Sequence, residues 1–369
     1  MEPIVNTLYT FIAFIMVISI VVFIHEFGHF YFARLFGVRV EKFSIGFGKA
    51  IFKWRDSKKT EWQISAVPMG GYVKMYGDSN PASTPDSKML AKMSKAQKAA
   101  SFHYKPRWQK SIVIAAGPLF NYLSAILITA FLLYSQGMIF LTPKISSVLP
   151  NTPASEVGLL EGDTITRIDN NKITNFLELK DTLAMSRGAP LNLTVKRDEK
   201  IFDVKVTPIK TEISDGLGKS MSVYSIGITA TDIQIKKLGF FESLKYGIYK
   251  VHELNSMMIQ GIYQMISGDR GAEEISGPIK IAQYSAKSLE SGLYGFLSFI
   301  VMISVNLGLV NLLPIPLLDG GHLAVYAAET IIQKPIDERT LQKANFIGFM
   351  IIIFLMMYGI SNDLRSFIG

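Results

Sequence analysis

In the stretch FIHEFGHFYF, residues 23 to 32, two histidines and a glutamate interrupt one of the most apolar segments of the chain. His25 and His29 are four residues apart, so on a helix both imidazoles leave the same face one turn apart. Two neutral ring nitrogens at that spacing can share one Zn²⁺, with Glu26 close enough to hold a water on it. A pair of core histidines bonded to neighbouring helices is the competing reading. It is weak within a membrane, where ionisable groups are costly and mostly functional. A catalytic zinc takes three protein ligands and keeps one position for water. The soluble-protease extension of the motif would put a histidine six residues after His29, where the chain has Leu35. His103 stands in a basic loop and His252 in a segment expected outside the membrane. Asp319, in NLLPIPLLDGGH, closes another apolar block and is the better third ligand.

Several neighbours could serve the same site. Pro314 and Pro316 each remove a backbone donor and disturb helix geometry, which lets the chain unwind and turn Asp319 towards a metal. Prolines that merely end a helix would look the same. Asn311 could hold substrate backbone or stitch helices together, at near-even odds. His322 reads as support for the site or, more commonly, as a polar loop residue. Asn121, in AAGPLFNY, follows Gly117 and Pro118. The Gly-Pro pair permits close helix approach and a kink, and Asn121 offers hydrogen bonds, although packing alone would explain all three. Gly70 and Gly71, in VPMGGYVKM, mark a strand-like edge that could hold an opened peptide extended, as in strand addition.

Elements must bring these residues together. The 369 residues would fill two or three soluble domains, but 49% are hydrophobic and they come in blocks. Those at 5–24, 111–134, 293–313 and 346–360 have about the length that crosses a hydrocarbon core as a helix. Four spans are expected, the first a retained helix rather than a leader, because no basic region precedes it. The net charge of +8 is uneven: residues 34–110 hold 16 Lys and Arg against 5 Asp and Glu. The positive-inside rule makes that loop cytoplasmic, and a basic patch beside a membrane marks topology and anionic lipid rather than nucleic acid. His25, His29 and Asp319 then all lie at cytoplasmic ends of their spans, at one depth. There is no cysteine, which excludes disulfides and thiolate metal sites.

The expected order runs as follows: a first span with the histidines (1–36), a cytoplasmic, membrane-associated β region with a flexible basic loop (37–107), and a second span (108–137). An extracytoplasmic domain (138–234) and an amphipathic post-domain segment (235–290) come next. A third span ending at LDG (291–318), a cytoplasmic loop (319–342) and a fourth span with tail (343–369) complete it. In the first loop, alternating Trp62, Ile64 and Ala66 between Gly and Pro read as short strands and hairpins. The outer segment carries GLLEGDTITRIDN, then LNLTVKR and IFDVKVTP, which match a PDZ domain. YSIGI, Tyr224 to Ile228, matches its carboxylate-loop strand displaced to the end, as in circularly permuted forms. Such a domain grips a peptide as an added strand, although a folded spacer that binds nothing is the plainer alternative. Residues 238–266 are amphipathic and too polar for a span, suited to the outer membrane face or to packing beneath the outer domain.

Taken together, HEFGH, FSIGFGKAIFKW, VPMGGYVKM, AAGPLFN, the PDZ segment, ISGPIKIAQ and NLLPIPLLDGGH resemble the site-2 family of intramembrane zinc metalloproteases, in its bacterial regulator-of-sigma-E branch. The resemblance implies one zinc held by His25, His29 and Asp319, with Glu26 as general base. It implies membrane-associated β structure guiding substrate, Asn311 and the prolines receiving it, and location in a bacterial inner membrane. It implies single-span membrane proteins as partners, of the anti-sigma-factor type or remnant signal peptides, cut in regulated proteolysis. One PDZ segment stands where some relatives carry two. A non-proteolytic zinc-binding PDZ scaffold is the alternative, but it has no need of Glu26. A metal transporter fits poorly, since no inverted repeat is evident.

Overall fold

The computed structural model describes residues 2–80, 84–214, 220–268, 271 and 276–368. The chain divides into two compact units, Met1–Leu132 with Phe240–Gly369, and Leu133–Gly239.

The first unit is mostly helical. Its helices are α1 (Glu2–Leu35), α2 (Ser87–Ala91), α3 (Lys95–Ala100), α4 (Arg107–Gln136, whose last turn belongs to the second unit), α7 (Phe240–Ser267), α8 (Pro278–Glu290), α9 (Gly292–Leu312), α10 (Asp319–Ile332) and α11 (Glu338–Ile368). Among the described residues four helices are long and apolar enough to cross a membrane: Thr7–Leu35, Arg107–Gln136, Gly292–Leu312 and Arg339–Arg365. The four expected blocks are therefore all helical. The first, second and fourth run longer than their apolar stretches, because helix geometry continues where polar residues begin. Thirty-four residues of α1 reach about 51 Å at 1.5 Å per residue, enough to cross a bilayer and carry HEFGH towards the C-terminal end of the helix.

Small residues set the spacing of these helices. A Cβ at Gly28 would stand 2.3 Å from the carbonyl oxygen of Ala116, so α1 and α4 touch backbone to backbone there. The amphipathic segment packs against other helices of its own unit. As α7 it lies along α4 and α9: Gly247 meets Ile126 and Ala130, Val251 packs with Ala125, Val301 and Val305, and Tyr122 donates to Asn255 at 2.7 Å. Its buried stripe is met by other helices. α8 packs on α1 and α9. Its N-terminus is capped from a distance: the buried Asp363 carboxylate of α11 accepts from the N–H groups of Gly277, Ile279 and Lys280 at 2.9–3.1 Å.

Between α1 and α2 lie β1 (Val40–Arg55) and β2 (Glu61–Met75). These are longer than the short hairpins expected, and each bends on itself. Residues 40–45 pair with 71–75 on one side and 61–64 on the other, while 61–65 pair with 50–55. Two bent strands thus build a four-layered ribbon in the order 50–55, 61–65, 40–45, 71–75. The bends need positive φ, supplied by Gly46, Gly48 and Gly70 at 84°, 85° and 93°; such angles are open to glycine at little cost.

The second unit is β-rich, with β3 (Met138–Leu141), β4 (Ser147–Val148), α5 (Pro153–Glu156), β5 (Thr164–Ile168), β6 (Asn171–Lys172), α6 (Phe176–Met185), β7 (Leu191–Arg197), β8 (Lys200–Val206), β9 (Ile209–Ser214), β10 (Ser220–Ser225), β11 (Ile228–Thr229) and β12 (Ile233–Lys236). The central sheet runs β6-β5-β7-β8, and β4 pairs with β11, β3 with β12 and β9 with β10. Ile165, Ile168, Leu179, Leu193, Val195 and Ile226 form the fully buried core. Beneath it Asp163, fully buried, accepts two hydrogen bonds from Arg197 at 2.7 and 2.8 Å and one from the Leu160 N–H.

Candidate active site

The ribbon is fastened to the C-terminal end of α1. Trp62 stacks on Phe43 with centroids 4.4 Å apart, and Phe30 of α1 meets both rings. Arg34, in the last turn of α1, pairs with Asp56 and donates to Thr60 at 2.8 Å, while the Trp62 ring N–H donates to Asp56 at 3.0 Å. Burial alone would raise the Asp56 carboxyl, but the hydrogen bonds from Trp62, Arg34 and Thr60 outweigh it and hold it below the ordinary carboxylate range. This clamp lays strand 71–75 against α1. A Cβ at Gly71 would stand 2.8 Å from Val22 and 3.1 Å from the Glu26 side chain, so only glycine admits so close an approach. The outer edge of 71–75 has no partner strand among the described residues.

Asp319 arrives from the other side. α9 ends at Leu312, and PIPLL carries the chain back over that end. Cβ atoms at Gly320 and Gly321 would lie 2.2 Å from the Leu313 carbonyl and 2.3 Å from that of Ile315. The two glycines after Asp319 are therefore what lets α10 begin so near the end of α9. Leu317 has φ +77°, a conformation rare for a residue with a side chain. The strain sits two residues before the carboxylate that the turn must aim.

Together α1 and α10 bring His25, His29 and Asp319 into one group, their ligand atoms all within 4.8 Å. The His25 and His29 Nε2 atoms are 3.2 Å apart, and Asp319 oxygens lie 3.2 Å and 3.6 Å from them. Donors placed tetrahedrally at about 2.0–2.1 Å around one zinc ion stand about 3.3–3.4 Å apart. His29 Nδ1–H donates to the Val113 carbonyl at 2.9 Å, which leaves its Nε2 lone pair facing inward. The buried Asp319 Oδ2 has no hydrogen-bond donor. Two lone pairs and an orphaned carboxylate oxygen converge without a proton between them, so the set fits a zinc ion. Glu26, on the same helix, joins these ligands in lining a cavity of about 210 Å³ with Gly71, Tyr72, Val73, Met75, Asn311, Leu317 and His322. A cleft of about 470 Å³ elsewhere on the ribbon, lined by Arg39, Glu41, Lys42, Arg55, Glu61 and Lys74, shares Tyr72 with it but holds neither the three ligands nor Glu26.

The remaining expected residues divide. Asn311 and Gly71 line the cavity, and so does His322, in the first turn of α10 rather than in a loop. Pro314 and Pro316 do not line it; Pro316 instead receives Gly348 of α11, whose Cβ would stand 2.2 Å from its carbonyl oxygen. Gly70 lies against the Phe47 ring and serves the bend. Asn121 does not line the cavity. It is fully buried, with its carboxamide 3.2 Å from His25 Nδ1 and its Oδ1 otherwise unpartnered. An Asn oxygen and nitrogen are told apart by their partners. Turning Oδ1 to the ring lets it accept from Nδ1–H and frees His25 Nε2 for a metal. Gly117 presses closer still, since a Cβ there would stand 2.3 Å from His29 Nε2. The Val113 carbonyl was not foreseen, and Tyr72, Val73 and Met75 only as part of the VPMGGYVKM segment.

Two histidines one turn apart, a carboxylate from a separate helix and a glutamate at the same cavity, all on a scaffold of long apolar helices, define a membrane metallopeptidase. The pattern of peptidase family M50 matches residues 13–355, and the chain belongs to that family. A Rickettsia conorii protein assigned as a zinc metalloprotease is 38% identical, over 96% of this chain and 98% of its own length. A Rhizobium meliloti protein so assigned is 33% identical over 99% and 98%. The metalloprotease MmpA of Caulobacter vibrioides is 32% identical over 96% and 95%. Among solved structures, the PDZ domain of an SdrC-like protein from Listeria monocytogenes is 27% identical, covering 24% of this chain and 84% of that one, with a TM-score of 0.20.

Proposed function

We propose that this metalloprotease is a zinc-dependent intramembrane endopeptidase with one zinc per chain, cutting single-span membrane proteins in or near their transmembrane segments. Substrates of the anti-sigma-factor type and remnant signal peptides fit this reading. The observation that carries it is the convergence of His25, His29 and Asp319 beside Glu26 and an unpaired strand edge. A transmembrane helix hides its amides in internal hydrogen bonds and must open before attack. Strand 71–75 offers its unpaired edge, up to the Met75 backbone that Asp78 caps, to the opened segment, which stays extended as an added strand. Bound zinc supplies Lewis acidity at the scissile carbonyl and a lowered pKa for water. Glu26 takes the water's proton and passes it to the leaving amine, while Asn311 faces the same cavity and hydrogen-bonds the substrate. The scaffold alternative loses its ground with membership of a peptidase family. We place the site towards the cytoplasm of a bacterial inner membrane, from the basic first loop, and the β-rich unit outside as a PDZ module with a peptide ligand.

The test is cleavage of a fluorescently tagged single-span peptide by the purified chain. Glu26→Gln should abolish turnover, by about 10²–10⁴-fold for loss of a general base, while keeping zinc. Asp319→Ala should lower both zinc content and cleavage. Full turnover in the first variant would remove Glu26 as base; undiminished zinc affinity in the second would mean another third ligand.

A further inference from the structure

The ribbon β3–β12 joins the second unit to its flanking helices at both ends. One residue, Gly137, separates α4 from β3, and its N–H is bonded back to the Leu133 carbonyl at 2.9 Å. Three residues separate β12 from α7. The register pairs Ile139 with Ile235 and Leu141 with Ile233, so these four side chains share one face. The face is bare: Ile139, Ile233 and Ile235 are 60–62% exposed and Leu141 38%. The opposite face carries Met138 and Phe140, both partly covered, and β3 approaches α6. Two-stranded ribbons are marginal in water, and four large aliphatic groups side by side on one call for a cover.

We propose that this face is seated in the headgroup–acyl boundary of the outer leaflet, and that its partner is the lipid bilayer. Three features choose lipid over protein. A single residue spans about 3.8 Å, so β3 begins at the very end of a transmembrane helix and cannot leave the interface. The last turn of α4, in the same unit as the ribbon, exposes Tyr134 at the depth that aromatic anchors favour. Exposed Lys236 ends β12 and Lys237 follows it, which suits anionic headgroups. Ile139 and Ile235, nearer the helix end, sit deeper than Ile233.

The chain has no cysteine, so single labels can be placed directly. Ile139→Cys, Ile233→Cys, Ile235→Cys and, as control, Gln234→Cys would each carry a nitroxide in the full-length protein, reconstituted into phosphatidylethanolamine–phosphatidylglycerol vesicles. Collision rates with oxygen and with a water-soluble nickel complex are then compared. The expected result is several-fold protection from nickel with high oxygen access at 139 and 235, an intermediate ratio at 233, and nickel access at 234. Nickel access at all four positions would place the face in water and overturn the proposal. Protection from both reagents would overturn it too, and spin–spin broadening relieved by unlabelled protein would then name a second copy as the cover. Ile139 and Ile235 lie on different strands, so a variant that loses zinc content, and hence fold, leaves the other to decide.

Discussion

Asn121 and Val113 show how a single atom can decide whether a histidine is a ligand. An imidazole offers a metal one nitrogen only if the proton stays on the other. His29 keeps its proton by donating to the Val113 carbonyl, and His25 keeps its own once the Asn121 carboxamide turns its oxygen to Nδ1. Asn121→Ala should weaken zinc binding about 10–100-fold, whereas Asn121→Asp, which still accepts from Nδ1–H, should restore most of it. Competition with a coloured chelator reads both, and unchanged affinity in the alanine variant would return Asn121 to helix packing. Sequence made part of this legible. The four-residue spacing names His25 and His29, and Asp319 follows from the depth at which its span ends. Asn121 is visible as a polar group in an apolar helix, but its partner is not. A backbone carbonyl such as Val113 leaves no trace, because every residue has one.

The helices show the same division between what local pattern reveals and what only packing decides. Hydrophobic length marked the spans, and the FSIGFG and MGGYVKM glycines marked bends without revealing that two strands fold into a four-layered ribbon. The stripe of α7 was plain, but a stripe does not say whether lipid or another helix will cover it. Asp363 gave no signal of its role, since the capped helix begins 85 residues earlier in sequence at Pro278. Its carboxylate satisfies three N–H groups at the start of α8, where negative charge also opposes the helix dipole. Asp363→Ala should therefore cost about 1–2 kcal/mol, the loss of a helix cap, read as an earlier thermal unfolding transition. Asp363→Asn, keeping one acceptor, should cost less.

At the scale of the whole molecule, the second unit carries its own electrostatic lock. Burial favours the neutral form of Asp163, but the Arg197 and Leu160 hydrogen bonds prevail and hold its folded pKa below the ordinary value. A depressed carboxylate stabilises the fold above its unfolded pKa, about 3.9 for Asp, and that contribution fades as pH falls through the folded pKa. Protection of the β5 and β7 amides in the full chain, taken relative to the intrinsic exchange rate at each pH, should fall below about pH 4. Asp163→Asn should be less protected at neutral pH and show a flatter acid response. Protection that does not change on acidification would dismiss the lock.

The fastening of the ribbon to α1 has a kinetic corollary. Glu26, both histidines and the edge that would present substrate ride on one clamped assembly, whereas Asp319 comes from a strained turn between α9 and α10. Were a bulky substrate admitted by displacement of that turn, proton acceptor and template would stay aligned. The piece that travels would also be the one that closes the coordination sphere, and metal exchange and substrate entry would share a single slow coordinate.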